Sequence, residues 1–242
     1  SALLSNGIHL VGRSFKYHRP RGIMSCGSEE PNAICQINDN TDLTEPNVRA
    51  TEIELYEGLK ASSQNCWPSL NFDIGGINNL ISPFIPAGFY YKTFMWPKSF
   101  WKKIYEPLIR LSAGLGKSPT QPDPDIYDHK HEHCDVLVIG GGISGIISAK
   151  IAAKNNLKTI LIEDKNILGG STIYQNNKNF IIDNKKSNEW LMDEISELEK
   201  LDNLTIKTRT SLAAFHSYNY LLAKENISDH LPLNKKNDSI RQ

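Results

Sequence analysis

"CDVLVIGGGISGIISAKIAAKNNLKTILIED", Cys134 to Asp164, decides the fold of the C-terminal half. Val136–Ile139 has the composition of a parallel strand buried on both faces. It runs directly into Gly140-Gly141-Gly142-Ile143-Ser144-Gly145, a G-x-G-x-x-G. A helix is expected over 146–155 and a second buried strand over 159–162. In this pattern Gly140 permits a tight turn, Gly142 lets the backbone approach a pyrophosphate, and Gly145 lets the helix pack closely on the strand. The helix N-terminus adds free N–H groups and the positive end of its dipole. Glu163 closes the second strand 18 residues past Gly145, the distance expected for a carboxylate reaching an adenosine ribose.

A glycine string alone is weak, because ordinary turns contain such strings. Strand, turn, helix and a placed carboxylate together favour a dinucleotide site over a turn without a ligand. An acid at the strand end prefers a free ribose 2′-hydroxyl to a 2′-phosphate, so NAD or FAD is favoured over NADP. These residues do not separate NAD from FAD. Asp164 and Lys165 fall at the rim of the adenosine site. "LGGST", Leu168–Thr172, is either a plain turn or a second glycine turn beneath the pyrophosphate, with the Ser171 hydroxyl available.

Downstream, "SNEWLMDEISELEKL" puts Leu191, Ile195, Leu198 and Leu201 on one face of an amphipathic helix. "NLTIKTRT" is the expected next strand, and the final stretch from Ala213 resembles a hairpin without its neighbours. Upstream, "KSPTQPDPDIYDHKHEH" has the prolines and alternating charge of a linker. Residues 61–116 are rich in aromatics and prolines and are expected to be irregular, with one short helix over 100–111. "NAICQIN" and "VRATEIEL" alternate apolar and polar as half-buried strands do.

The 242 residues carry 27 Lys and Arg against 27 Asp and Glu, which gives no overall signature for nucleic acid. The basic stretch Arg13–Arg21 is followed at once by Glu29 and Glu30, so its cations are expected to pair with acidic groups of another domain or subunit. No apolar run is long enough to span a bilayer. Cysteines at 26, 35, 66 and 134 form no C-x-x-C pair, which suits unpaired thiols in the cytoplasm. His129, His131 and His133 alternate along a charged linker and are not expected to hold a metal. Asp73 and Glu106 are expected to be surface charges.

"GRSFKYHRPRGIMS", "PNVRATEIELYEGL", "SQNCWPSLNFDIGGINNLISPFIPAGFYYKTFMWP" and "HCDVLVIGGG" resemble the alpha subunits of heterotetrameric sarcosine oxidases over nearly the whole chain. The first section is similar to ferredoxin-like domains in cluster-bearing relatives such as hydrogen cyanide synthase and opine-type dehydrogenase subunits. Against those relatives, the cluster-ligand positions fall on Ser25, Glu30, Ala33 and Thr51, none a thiolate. The resemblance implies an enzyme that oxidatively demethylates sarcosine with oxygen and tetrahydrofolate. It implies NAD bound without turnover on this chain, FAD as the alternative, and FAD, FMN and zinc elsewhere in a complex with beta, gamma and delta subunits. It lines the dinucleotide with Ser144, Glu163, Asp164, Lys165, Ser171 and Leu212, beside Gly140, Gly142 and Gly145, and assigns no catalytic residue.

The fold expected is therefore α/β plus α+β: a ferredoxin-like (β-grasp) domain without an iron–sulfur cluster, then an incomplete Rossmann-like dinucleotide-binding domain. The boundaries expected are 1–58, an aromatic connector 59–118, a linker 119–133, and 134–242. A chain truncated at both ends and inactive alone is also expected.

Overall fold

The computed structural model describes residues 2–38, 44–123, 125–174, 180–228 and 230–231. The chain forms two compact units, Ser1–Pro124 and Asp125–Gln242. Unit 1 opens with a single helical turn, α1 (Ala2–Ser5), and a two-residue antiparallel pair, β1 (Gly12–Arg13) and β2 (Pro20–Arg21). Its main sheet is antiparallel, in the order β4 (Glu45–Arg49), β3 (Ile34–Ile37), β5 (Ala61–Ser63). Central β3 buries Cys35 and Ile37, with Ala33 just ahead of it. The strand pattern of "VRATEIEL" stops at Arg49, because the Glu52 N–H bonds back to the Arg49 carbonyl and turns the chain.

The aromatic segment is a string of short turns: α2 (Ile77–Leu80), α3 (Phe89–Lys92), a π-helical turn Trp101–Tyr105 and α4 (Glu106–Ser112). The helix expected over 100–111 is thus present, with a wide first turn. Phe94 holds the segment together through ring contacts with Phe89 at 5.8 Å and Tyr105 at 5.2 Å. Many of its apolar side chains remain exposed, among them Phe84, Trp96 and Leu111.

The basic stretch clamps onto this segment. Arg13 donates through Nε (3.0 Å) and Nη2 (2.7 Å) to the Leu70 carbonyl, Lys16 Nζ to Pro86 O at 2.8 Å, and Tyr17 Oη to Ile85 O at 2.7 Å. His18 Nδ1 lies 2.6 Å from Asp73 Oδ2, and Asp73 also accepts from the Trp67 and Gly75 amides. Two expectations are corrected here. These cations meet mainly backbone carbonyls of their own unit, and the Asp73 side chain is 1% exposed. Carbonyl acceptors leave no charge signature in a sequence.

Unit 2 is built around β6 (Val136–Ile139), α5 (Ile143–Lys154), β7 (Thr159–Ile162), a small pair β8 (Ile181–Ile182) and β9 (Lys185–Lys186), α6 (Ser187–Leu198) and β10 (Leu204–Lys207). The parallel sheet has the order β10–β7–β6, with β7 buried at all four positions. Ile146, Ala149, Leu161, Leu168, Trp190, Leu191 and Leu198 form the core, with Ile195 and Leu201 packed against it. Alanines at 149, 152 and 153 keep the buried face of α5 thin, which suits close approach to a sheet. Lys150 bonds Glu194 at 2.6 Å and Glu197 at 2.8 Å, tying α5 to α6. An antiparallel hairpin follows, β11 (Thr210–His216) and β12 (Tyr220–Glu225). No helix among the described residues is long and apolar enough to cross a membrane.

Candidate functional site

The site of unit 2 is assembled where β6 gives way to α5. Gly140 takes φ +95°, a conformation side chains rarely adopt, and turns the chain out of the strand. A Cβ at Gly145 would stand 1.8 Å from the Gly140 carbonyl oxygen, so this glycine is required by helix–strand packing itself. Gly142 is the opposite case: a Cβ there would meet nothing within 4 Å. That open space lies at the first turn of a twelve-residue helix, where amides lack intrahelical acceptors. Ser144 is exposed on the same turn.

Glu163 directly follows β7 and is 6% exposed. Oε2 accepts the Gly141 N–H at 2.5 Å and Oε1 the Lys165 N–H at 3.1 Å. Burial pushes its carboxyl above the usual carboxylate range, neighbouring Asp164 pushes the same way, and the two amides oppose them. Asp164 is exposed, and Lys165 is half-buried with Nζ 5.0 Å from the Tyr174 ring centre.

The second glycine turn lies against the first. The Gly169 N–H donates to the Gly141 carbonyl at 2.7 Å, and a Cβ at Gly170 would stand 3.1 Å from Gly142 Cα. Ser171 is exposed beside it. The structure therefore brings Gly140, Gly142, Ser144, Gly145, Glu163, Lys165 and Ser171 into one neighbourhood through β6, β7 and the two glycine turns. Leu212 is half-buried on β11, two residues beyond Thr210, whose N–H donates to the Glu163 carbonyl at 2.8 Å. Gly141 and Thr210 were not singled out in the sequence, since both act through main-chain groups.

Unit 1 has a different constellation. Glu30 is 1% exposed, and its carboxylate accepts four amides: Met24 and Ser25 at 2.7 Å, Asn32 at 2.8 Å and Ala33 at 3.2 Å. Thr51 Oγ1 donates to the Gly27 carbonyl at 2.8 Å. Burial alone would raise the Glu30 carboxyl, but the amides overcome it and hold the group below the usual range. All four cysteines are free, with Cys26 exposed and Cys35 buried. Burial lifts the Cys35 thiol to about 11. No three His, Cys, Asp or Glu among the described residues are grouped so as to hold a metal ion.

Residues 135–230 match the model of the FAD dependent oxidoreductase family. The alpha subunit of sarcosine oxidase from Rhizobium meliloti (strain 1021) is 48% identical over 231 residues, 96% of this chain and 23% of that protein. The chain is homologous to sarcosine oxidase alpha subunits. The corresponding alpha subunit from Corynebacterium sp. (strain U-96) is 27% identical over 96% of the chain and 19% of its own length. The chain thus spans about a quarter or less of these sarcosine oxidase relatives. Among solved structures, L-proline dehydrogenase from P. horikoshii is similar at 21% identity and a TM-score of 0.47, covering 92% of this chain and 32% of that one.

Two cofactor expectations are corrected. The FAD dependent oxidoreductase match replaces the assignment of NAD to the glycine turn. Residues 1–66 match the model of a 2Fe-2S iron-sulfur cluster binding domain, which overturns the expectation that no cluster belongs to this chain. The thiols as placed do not assemble a ligand set for a cluster among the described residues. The glycine site, by contrast, suits the ADP portion of FAD: Gly142 leaves the space, α5 the amides, and β7 the carboxylate.

Proposed function

We propose that this chain belongs to the alpha subunit of a sarcosine oxidase-type flavoenzyme and holds the ADP portion of FAD in the glycine site of unit 2. What carries the reading is 48% identity to a sarcosine oxidase alpha subunit across 96% of the chain. Gly142 and the α5 amides receive the pyrophosphate, with the Ser144 and Ser171 hydroxyls at its flanks. Glu163 accepts the adenosine ribose hydroxyls in its ionised form, exchanging its bond from Gly141 for bonds from the ligand. Asp164 and Lys165 stand at the adenosine rim, and Leu212 supplies an apolar flank. FAD, when bound, supplies a two-electron acceptor.

In the whole enzyme the reaction is the oxidative demethylation of sarcosine to glycine, with oxygen as acceptor and tetrahydrofolate taking the one-carbon unit. Beta, gamma and delta subunits complete the complex, and this chain serves to bind dinucleotide and to scaffold its partners. The test is to purify the protein with its partner subunits, measure sarcosine-dependent oxygen uptake, and count released FAD. Gly142→Ala is expected to lose one FAD equivalent from the complex. Undiminished flavin in that variant sinks the site assignment, and absence of sarcosine-dependent oxygen uptake sinks the activity.

A further inference from the structure

A cavity of about 210 Å³ lies within unit 1. Its walls are Phe15, Ile81, Phe89, Phe94, Tyr105 and Ile109, with Lys16 the one cationic side chain among its lining residues. The ring contacts of Phe94 with Phe89 and Tyr105 fix one wall. The other polar lining groups are already engaged: Ser112 Oγ donates to Leu108 O at 2.8 Å, Tyr105 Oη to Trp96 O at 2.9 Å, and Asn78 Nδ2 to Lys16 O at 3.3 Å.

Lys16 differs from them. Nζ donates to Pro86 O and lies 4.7 Å and 5.0 Å from the ring centres of Tyr17 and Phe89, but it forms no ion pair with a carboxylate among the described residues. An ammonium against apolar walls attracts an anion more strongly than one in bulk water. Size limits the anion. An engineered cavity of about 150 Å³ takes benzene, so this one accommodates a single ring and a short arm. We propose that the cavity is a binding site for a small aryl monocarboxylate, its ring among Phe89, Phe94 and Ile109 and its carboxylate on Lys16.

The probes are phenylacetate and its neutral counterpart 2-phenylethanol, titrated into the intact protein by ligand-observed NMR. Phenylacetate is expected to bind at least about tenfold more tightly than the alcohol. Lys16→Met should remove that preference while leaving alcohol affinity within about twofold, and Lys16→Arg should keep it. Ile109→Trp, which fills the cavity without touching Lys16, should abolish binding of both probes. Equal affinities in the wild-type protein, an unchanged preference in Lys16→Met, or no binding of either probe overturns the proposal.

Discussion

The three glycines of the dinucleotide turn have separable jobs, and alanine at each should fail differently. Gly145→Ala drives a methyl group into the Gly140 carbonyl and is expected to lower stability or prevent folding. Gly142→Ala meets no protein atom, so its melting temperature should match the wild type while FAD retention falls. Thermal denaturation and flavin content of the purified variants check both. Glu163 adds a pH dependence. Its folded-state carboxyl titrates above the usual range, so its contribution to stability is present at low pH and lost as pH rises through that raised value. Ribose binding needs the ionised form and runs the other way: FAD affinity should increase through the same range, and Glu163→Gln should flatten that rise. Glu30 has the reverse sign. Its depressed carboxyl contributes stability above the ordinary carboxylate range, lost as pH falls through the depressed value. Glu30→Gln removes a charge that four amides surround, with an expected cost of about 2 kcal/mol in urea unfolding at neutral pH.

Among the elements, those whose partners lie close in sequence were the ones the sequence disclosed. β6, α5 and β7 follow from apolar run, glycine turn and apolar run, and α6 from leucines at helical spacing. Trp190 was missed as a core residue, although it is 3% exposed and donates from Nε1 to Asp183 at 3.2 Å. It sits one position before Leu191, beside the stripe that the spacing marked. Trp190→Ala is expected to destabilise unit 2 by about 3–5 kcal/mol, read from chemical denaturation. In unit 1 the hairpin's docking was invisible, because its acceptors are main-chain atoms some sixty residues away. There, a Cβ at Gly75 would stand 2.3 Å from His18 Nδ1, whereas one at Gly76 would meet nothing within 4 Å. Gly75→Ala should break the His18–Asp73 contact and lower the melting temperature, and Gly76→Ala should shift it by much less.

At the scale of the molecule, the chain forms two compact units, Ser1–Pro124 and Asp125–Gln242. The sequence did not disclose cofactor identity, because a glycine turn and a carboxylate recognise an ADP group that NAD and FAD share. The segment from Lys117 to His133 is largely exposed and without helix or extended strand among its described residues. Limited proteolysis is expected to cut there first and leave two fragments near 13 kDa each on a denaturing gel, from a chain of 27.2 kDa.

The clamp of Arg13, Lys16 and Tyr17 on carbonyls of Leu70, Ile85 and Pro86 has a consequence for divergence. A carbonyl is present whatever the side chain, so the receiving positions can be rewritten freely, provided the backbone path stays. Arg13, which makes two bonds to the Leu70 carbonyl, has no such latitude. Random mutagenesis across both partners should therefore recover many substitutions at 70 and 85 and few at 13, an asymmetry that would let the exposed aromatic face change its outward chemistry while its seat remains fixed.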